Sequence, residues 1–181
     1  MSVPLTSTAL PGQDAGRLRA AKLAKNRRFI IALLAWTAAA SLLIAGARPW
    51  LRIAFNGSDS LPGLFYLVLV GQPSQRGQLV AFYPPHNRFY RDGMFFVKQV
   101  RGVGGDRVER RGAEFFINGQ HLASAKPRSL KGLPLQPGPE GVLPDGFFWV
   151  WTPHPDSFDS RYADVGWIAL DRVLGRAVRL L

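Results

Sequence analysis

The sequence predicts a β-rich (all-β or nearly so) domain carried behind one N-terminal transmembrane helix. Two observations lead there. Residues 29–47, FIIALLAWTAAASLLIAGA, run for 19 positions without a charge. From Leu64 onward, short apolar or alternating runs are separated by glycine, proline and asparagine turns, with no 10–15-residue helical pattern between them.

The anchor comes first. As a helix rising about 1.5 Å per residue, 19 residues span roughly 28 Å, near the hydrocarbon thickness of a bilayer. Arg17, Arg19, Lys22, Lys25, Arg27 and Arg28 precede it against Asp14 alone, whereas Arg48 and Arg52 are the near cations after it. The positive-inside rule then places the N-terminus in the cytoplasm and the rest outside, which in a bacterium is the periplasm. The chain divides into a basic cytoplasmic tail (1–28), with its first 16 residues disordered, an inner-membrane anchor (29–47) and an exported domain (48–181). Ala45-Gly46-Ala47 also fits a cleavable leader, but the apolar run exceeds the about 7–15 residues of such a segment, which favours a retained anchor.

In the exported domain, strands are expected at Leu64–Val70, Gln78–Tyr83, Met94–Val100 and Arg107–Glu109. Glu114–Ile117 and Gln120–Leu122 flank Asn118-Gly119, a pair that tolerates positive φ and suits a tight hairpin. Residues 126–144 hold five prolines and read as a surface loop or flexible excursion. Phe147–Trp151, Val165–Leu170 and Arg176–Leu181 complete the set.

Composition excludes some chemistry. There is no cysteine, hence no disulfide or thiolate. The net charge of +11 invites a nucleic-acid reading, but six of the 23 basic residues crowd the anchor and the others are scattered without a recognised binding module, so no nucleic-acid partner is expected. His86, His121 and His154 stand in no recognisable triad or metal-ligand spacing. Lysine can act as a base when burial disfavours its charged form. In MFFVKQV a strand puts Phe96, Lys98 and Val100 on one face, an apolar setting for an amine. A lysine among aromatics ordinarily snorkels to water, and a serine such as Ser60 in a turn ordinarily bonds locally, so neither residue alone identifies a site.

The order of motifs does. SDSLP (58–62), RGQLVAF (76–82), KQVRGVGGDRVE (98–109) and SFDSRY (157–162), with FFING (115–119) and LPDGFFWVW (143–151) between them, follow the anchor. Together they resemble the bacterial signal peptidase I clan (S26) of serine-lysine proteases across most of residues 50–181. NGSDSLP and HPDSFDSRY are closer to its TraF-type conjugative-transfer peptidases. The chain departs from the general enzymes at Leu61, where methionine is usual, at Gln78, where aspartate is usual, at Gly63, and at Thr152-Pro153-His154 in place of Gly-Asp-Asn. The resemblance implies a signal-peptidase-like catalytic domain. It makes Ser60 the nucleophile, Lys98 its general base, Ser58 an oxyanion donor, Ser157 the residue that orients the lysine, and Asp159 with Arg161 a supporting ion pair. It implies no metal and no organic cofactor. The expected substrate is a membrane-tethered preprotein or prepilin, met beside inner-membrane lipid and in the setting of a conjugative transfer apparatus. Two other readings stay open: a general signal peptidase serving many precursors, and a catalytically silent assembly protein of a transfer or secretion apparatus.

Overall fold

The computed structural model describes residues 11–180, in two compact units that divide between Arg48 and Pro49. The first holds one helix, α1 (Pro11–Ala47). Proline suits its first turn, where the missing N–H has no helical partner to lose. Residues 11–16, expected to be disordered, are helical here, and residues 1–10 lie outside the described part. Lys25–Ala47 is long and apolar enough to cross a membrane. Phe29, Trp36 and Leu43 stand 69–75% exposed, as a lipid-facing surface requires. Its two polar residues bond within the helix, Thr37 Oγ1 to the Leu34 carbonyl (2.9 Å) and Ser41 Oγ to that of Thr37 (2.8 Å), which removes the cost of leaving them unpaired in lipid.

The second unit is built of strands: β1 (Leu51–Phe55), β2 (Phe65–Val70), β3 (Leu79–Phe82), β4 (Phe96–Gly102), β5 (Arg107–Arg111), β6 (Glu114–Ile117), β7 (Gln120–Ser124), β8 (Gly141–Val142), β9 (Phe147–Trp151), β10 (Ile168–Ala169) and β11 (Val173–Arg179). Seven form one antiparallel sheet in the order β1-β2-β11-β3-β4-β9-β10, and four form a second in the order β7-β6-β5-β8. The large sheet buries both faces. Val80, Phe82, Val100 and Val150 pack with Phe158 and Tyr162 on one side, and Tyr66, Val68, Ala81 and Ala177 pack on the other. Trp149 and Leu143 close the core of the small sheet against Val108 and Phe115.

Most expected strands are present within a few residues. Asn118 (φ 51°) and Gly119 (φ 78°) make the predicted turn between β6 and β7, both with the positive φ of a primed hairpin turn. Three expectations need correction. β1 was not anticipated, because its apolar residues Leu51, Ile53 and Phe55 all face outward and Ala54 alone is buried. The proline-rich stretch is no free excursion: Leu135 N–H bonds to Pro127 O, Gly138 N–H to Arg161 O, and Ala163 N–H to Gln136 O (2.8–3.0 Å), and β8 pairs with β5. The expected strand 165–170 shrinks to β10 and a 3₁₀ turn, Leu170–Arg172, and the last strand starts three residues early at Val173.

Candidate active site

The turn between β1 and β2 carries both serines of SDSLP, and Asn56 builds it. The Asn56 amide donates from Nδ2 to the carbonyls of Leu61 (2.7 Å) and Gly63 (3.0 Å). Its Oδ1 accepts from the Ser58 N–H (3.2 Å) and the Ser58 hydroxyl (3.1 Å). Ser58 Oγ also lies 2.9 Å from Ser60 Oγ. A hydroxyl has one proton to give. With that of Ser58 directed to Asn56, Ser60 donates to Ser58. Below the turn, buried Tyr66 hydrogen-bonds the Pro62 carbonyl through its phenol, and Gly63 takes the positive φ of 100° that the reversal requires. The sequence reading missed Asn56. Its signal was the Asn56-Gly57 pair, a local turn builder, two residues ahead of Ser58.

Lys98 enters from β4. The alternation puts Phe96, Lys98 and Val100 on one face, as expected, with Val80 of β3 directly opposite Lys98. The lysine does not snorkel. It is 6% exposed, and its Nζ lies 2.8 Å from Ser157 Oγ and 5.9 Å from the centre of the Phe96 ring. Burial lowers its pKa from 10.5 to about 8, against the pull of the Asp159 carboxylate and with some help from the Arg161 charge.

Behind Ser157 stands a fully buried ion pair. Arg161 meets Asp159 through two parallel bonds, Nε to Oδ1 (2.8 Å) and an Nη to Oδ2 (2.9 Å), the fork geometry that suits guanidinium and carboxylate. The same guanidinium donates to the carbonyls of Ser157 (3.0 Å), His154 (3.0 Å) and Ser124 (3.1 Å). Asp159 Oδ2 also accepts from the Thr152 N–H at 3.3 Å. Arg161 therefore fixes the backbone of the residue whose side chain meets the lysine. Burying two charges is costly, and these bonds are what compensate it.

Ser58, Ser60 and Lys98 line one cleft of about 470 Å³. Ser157, Asp159 and Arg161 do not line it; Ser157 reaches it through Lys98. Among the described residues no hydrogen bond joins Ser60 to Lys98. The cleft wall is apolar (Ala54, Leu61, Phe95, Val97), and Ile53, Phe55, Tyr90 and Met94 are 42–69% exposed at its rim. Among the described residues no cluster of histidine, aspartate and glutamate could hold a metal ion. Chemically, the arrangement offers a hydroxyl, a hydroxyl donor beside it, and an amine that burial makes easier to deprotonate than a free lysine.

The family model for signal peptidase, peptidase S26, matches residues 25–181. A probable conjugal transfer protein TraF of Sinorhizobium fredii is 28% identical over 177 residues, covering 87% of this chain and 91% of its own length. The conjugal transfer protein TraF of Agrobacterium fabrum is 29% identical over 154 residues, covering 72% and 86%. A signal peptidase I of Leptolyngbya laminosa is 30% identical over 109 residues, covering 59% and 52%.

Proposed function

The chain belongs to the peptidase S26 family of signal peptidases, and on that premise we propose that it is a membrane-anchored serine endopeptidase with a Ser60–Lys98 dyad. The observation that carries this reading is the buried Lys98 amine, its pKa lowered to about 8, opening on the cleft that Ser60 lines. A neutral Lys98 Nζ takes the Ser60 proton as Oγ attacks the scissile carbonyl carbon. The resulting ammonium protonates the departing amine, leaving an acyl-enzyme. The neutral amine then takes a proton from the attacking water, and the acid product leaves as Ser60 regains its own. Ser58 Oγ and the Ser60 N–H face the developing oxyanion, so the Ser58 hydroxyl turns away from Asn56 during the step. Losing one such donor costs on the order of 10²–10³ in rate. The missing Ser60–Lys98 bond is compatible with this, since such contacts often tighten only with substrate bound. Ser157 fixes the amine, and Asp159 with Arg161 fixes Ser157.

The substrate is an exported, membrane-tethered precursor cut after small residues. Similarity to two TraF proteins over most of their length favours a prepilin in a conjugative apparatus. Resolution of the acyl-enzyme by a substrate amine instead of water would close the product into a ring. The partial match to a signal peptidase I favours the second reading, a general processor of preproteins. The six cations before the span support an orientation with the N-terminus in the cytoplasm and residues 48–181 in the periplasm.

The test is cleavage of the host's prepilin in membranes by wild type, Ser60→Ala and Lys98→Ala, read by product mass. Loss of cleavage in both variants at unchanged protein level supports the dyad; normal cleavage in either overturns it. A generic Ala-x-Ala preprotein cut while the prepilin stays intact would favour the general processor. A product one water lighter than the linear peptide identifies ring closure.

A further inference from the structure

A second cavity, of about 280 Å³, adjoins the cleft and shares Tyr90 and Phe158 with it. Its floor is aromatic. Phe158 stacks on Tyr162 (centroids 5.9 Å apart, planes 15°) and touches Tyr90 (5.5 Å) and Phe89 (5.0 Å). Its rim is cationic: Arg88, Lys126, Arg128 and Lys131 against Asp156 alone. Lys126 is neutralised by Asp156 at 2.5 Å. Among the described residues no carboxylate pairs with Arg88, Arg128 or Lys131. Arg88 donates to the Pro134 carbonyl (2.7 Å) and Arg128 to that of Gly132 (2.9 Å), uncharged acceptors that fix the side chains and leave their charge uncompensated.

The wall bearing these cations is preformed. Arg128 bridges to Pro134, and the Ser129 N–H bonds to the Leu133 carbonyl at 2.8 Å. Three unpaired cations over an aromatic floor attract carboxylates. The shared wall points to where such a carboxylate would come from, because an extended peptide in the cleft that ran on past Tyr90 and Phe158 would enter this cavity. We propose that the cavity is a specificity subsite of the Ser60–Lys98 cleft that receives an acidic side chain of the substrate polypeptide near the cut. This rests on the reading of that cleft as the peptide-cutting site.

The test uses the full chain in uncharged detergent micelles with quenched fluorescent peptides bearing one Ala-x-Ala cut site. A single Asp or Asn is placed in turn at each flanking position. One or two adjacent positions should show KM lower for Asp than for Asn by about tenfold, which corresponds to about 1.4 kcal/mol. Arg128→Glu with Lys131→Glu should abolish that preference, KM for each Asp peptide rising to that of its Asn counterpart, while Arg128→Lys, which keeps the charge, should retain it. Equal treatment of Asp and Asn at every position overturns the proposal, as does a preference that survives the double substitution. Fluorescence anisotropy of the labelled peptides on wild type reads the same preference without cutting, so a failure of the dyad shows as binding preference without cleavage. If the double variant loses only attachment to phosphatidylglycerol vesicles, relative to phosphatidylcholine, with Asp and Asn treated alike, the cavity serves lipid headgroups and the proposal fails.

Discussion

Lys98 makes opposite demands on stability and on chemistry. In the unfolded chain its pKa is 10.5 and in the fold about 8, so between those values the unfolded state holds more protons and stability rises with pH. Below pH 8 both states are charged and the fold carries the whole burial penalty, a difference of about 3 kcal/mol at 1.36 kcal/mol per pKa unit. Lys98→Met removes that penalty and leaves Ser157 without its partner, a loss of about 1 kcal/mol. We expect the variant to be more stable than wild type by about 2 kcal/mol at pH 7. Urea denaturation should show the gap closing as pH rises from 8 and reversing, with wild type the more stable by up to about 1 kcal/mol, as pH reaches 10.5 and above. The same proton governs rate: log(kcat/KM) should climb with unit slope below an apparent pKa of about 8 and then level off. A profile that climbs on toward 10.5 would overturn the reading of Lys98 as a base whose pKa burial lowers. Motif order led to Ser58, Ser60, Lys98 and Ser157, which the fold brings to or beside one cleft, but it did not lead to Asn56. Its work is to hold two main-chain carbonyls and one serine, which any turn asparagine could do.

Among elements, the hairpin and the central strands could be read because turn chemistry and alternation are local properties. β1 could not, since it presents its apolar side outward and gives no inward face to recognise. The pinning of residues 126–144 was hidden for another reason: backbone groups make it, and these carry no side-chain signature. The same holds for Arg161, whose grip on the carbonyls of Ser124, His154 and Ser157 is invisible in SFDSRY. β11 shows what one position can require. Its pairing with β3 shifts register between Val173 and Gly175, where Gly175 has φ of 157°. A Cβ there would stand 2.0 Å from the Leu69 carbonyl oxygen of β2. No flexible side chain can yield, so β2 and β11 would have to part. Gly175→Ala should lower unfolding free energy by about 2–4 kcal/mol, read as a fall in the denaturation midpoint. A change under about 0.5 kcal/mol, the size of an ordinary surface substitution, would show that the two strands slide freely.

For the molecule, the two units make separate demands on solvent. A fragment of residues 49–181 keeps every strand pairing, yet exposes Trp50, Ile53, Phe55, Leu64 and Met94 and the unpaired outer edge of β1. Contiguous apolar surface and open strand edges promote association. The fragment should therefore give a folded β spectrum by circular dichroism but sediment as oligomers unless detergent is present. A monodisperse fragment without detergent would show that this surface needs no cover. The segment from Ser157 to Arg161 has a different kind of independence. Within five consecutive residues lie the hydroxyl that meets Lys98, the carboxylate, and the guanidinium that ties both to the backbone. Such a block behaves as a cassette: it can be lost or transplanted whole, and drift at Ser157, Asp159 or Arg161 strands the other two. A lineage shedding this chemistry would thus be expected to change several of these positions together, leaving a visible scar in a short stretch of gene.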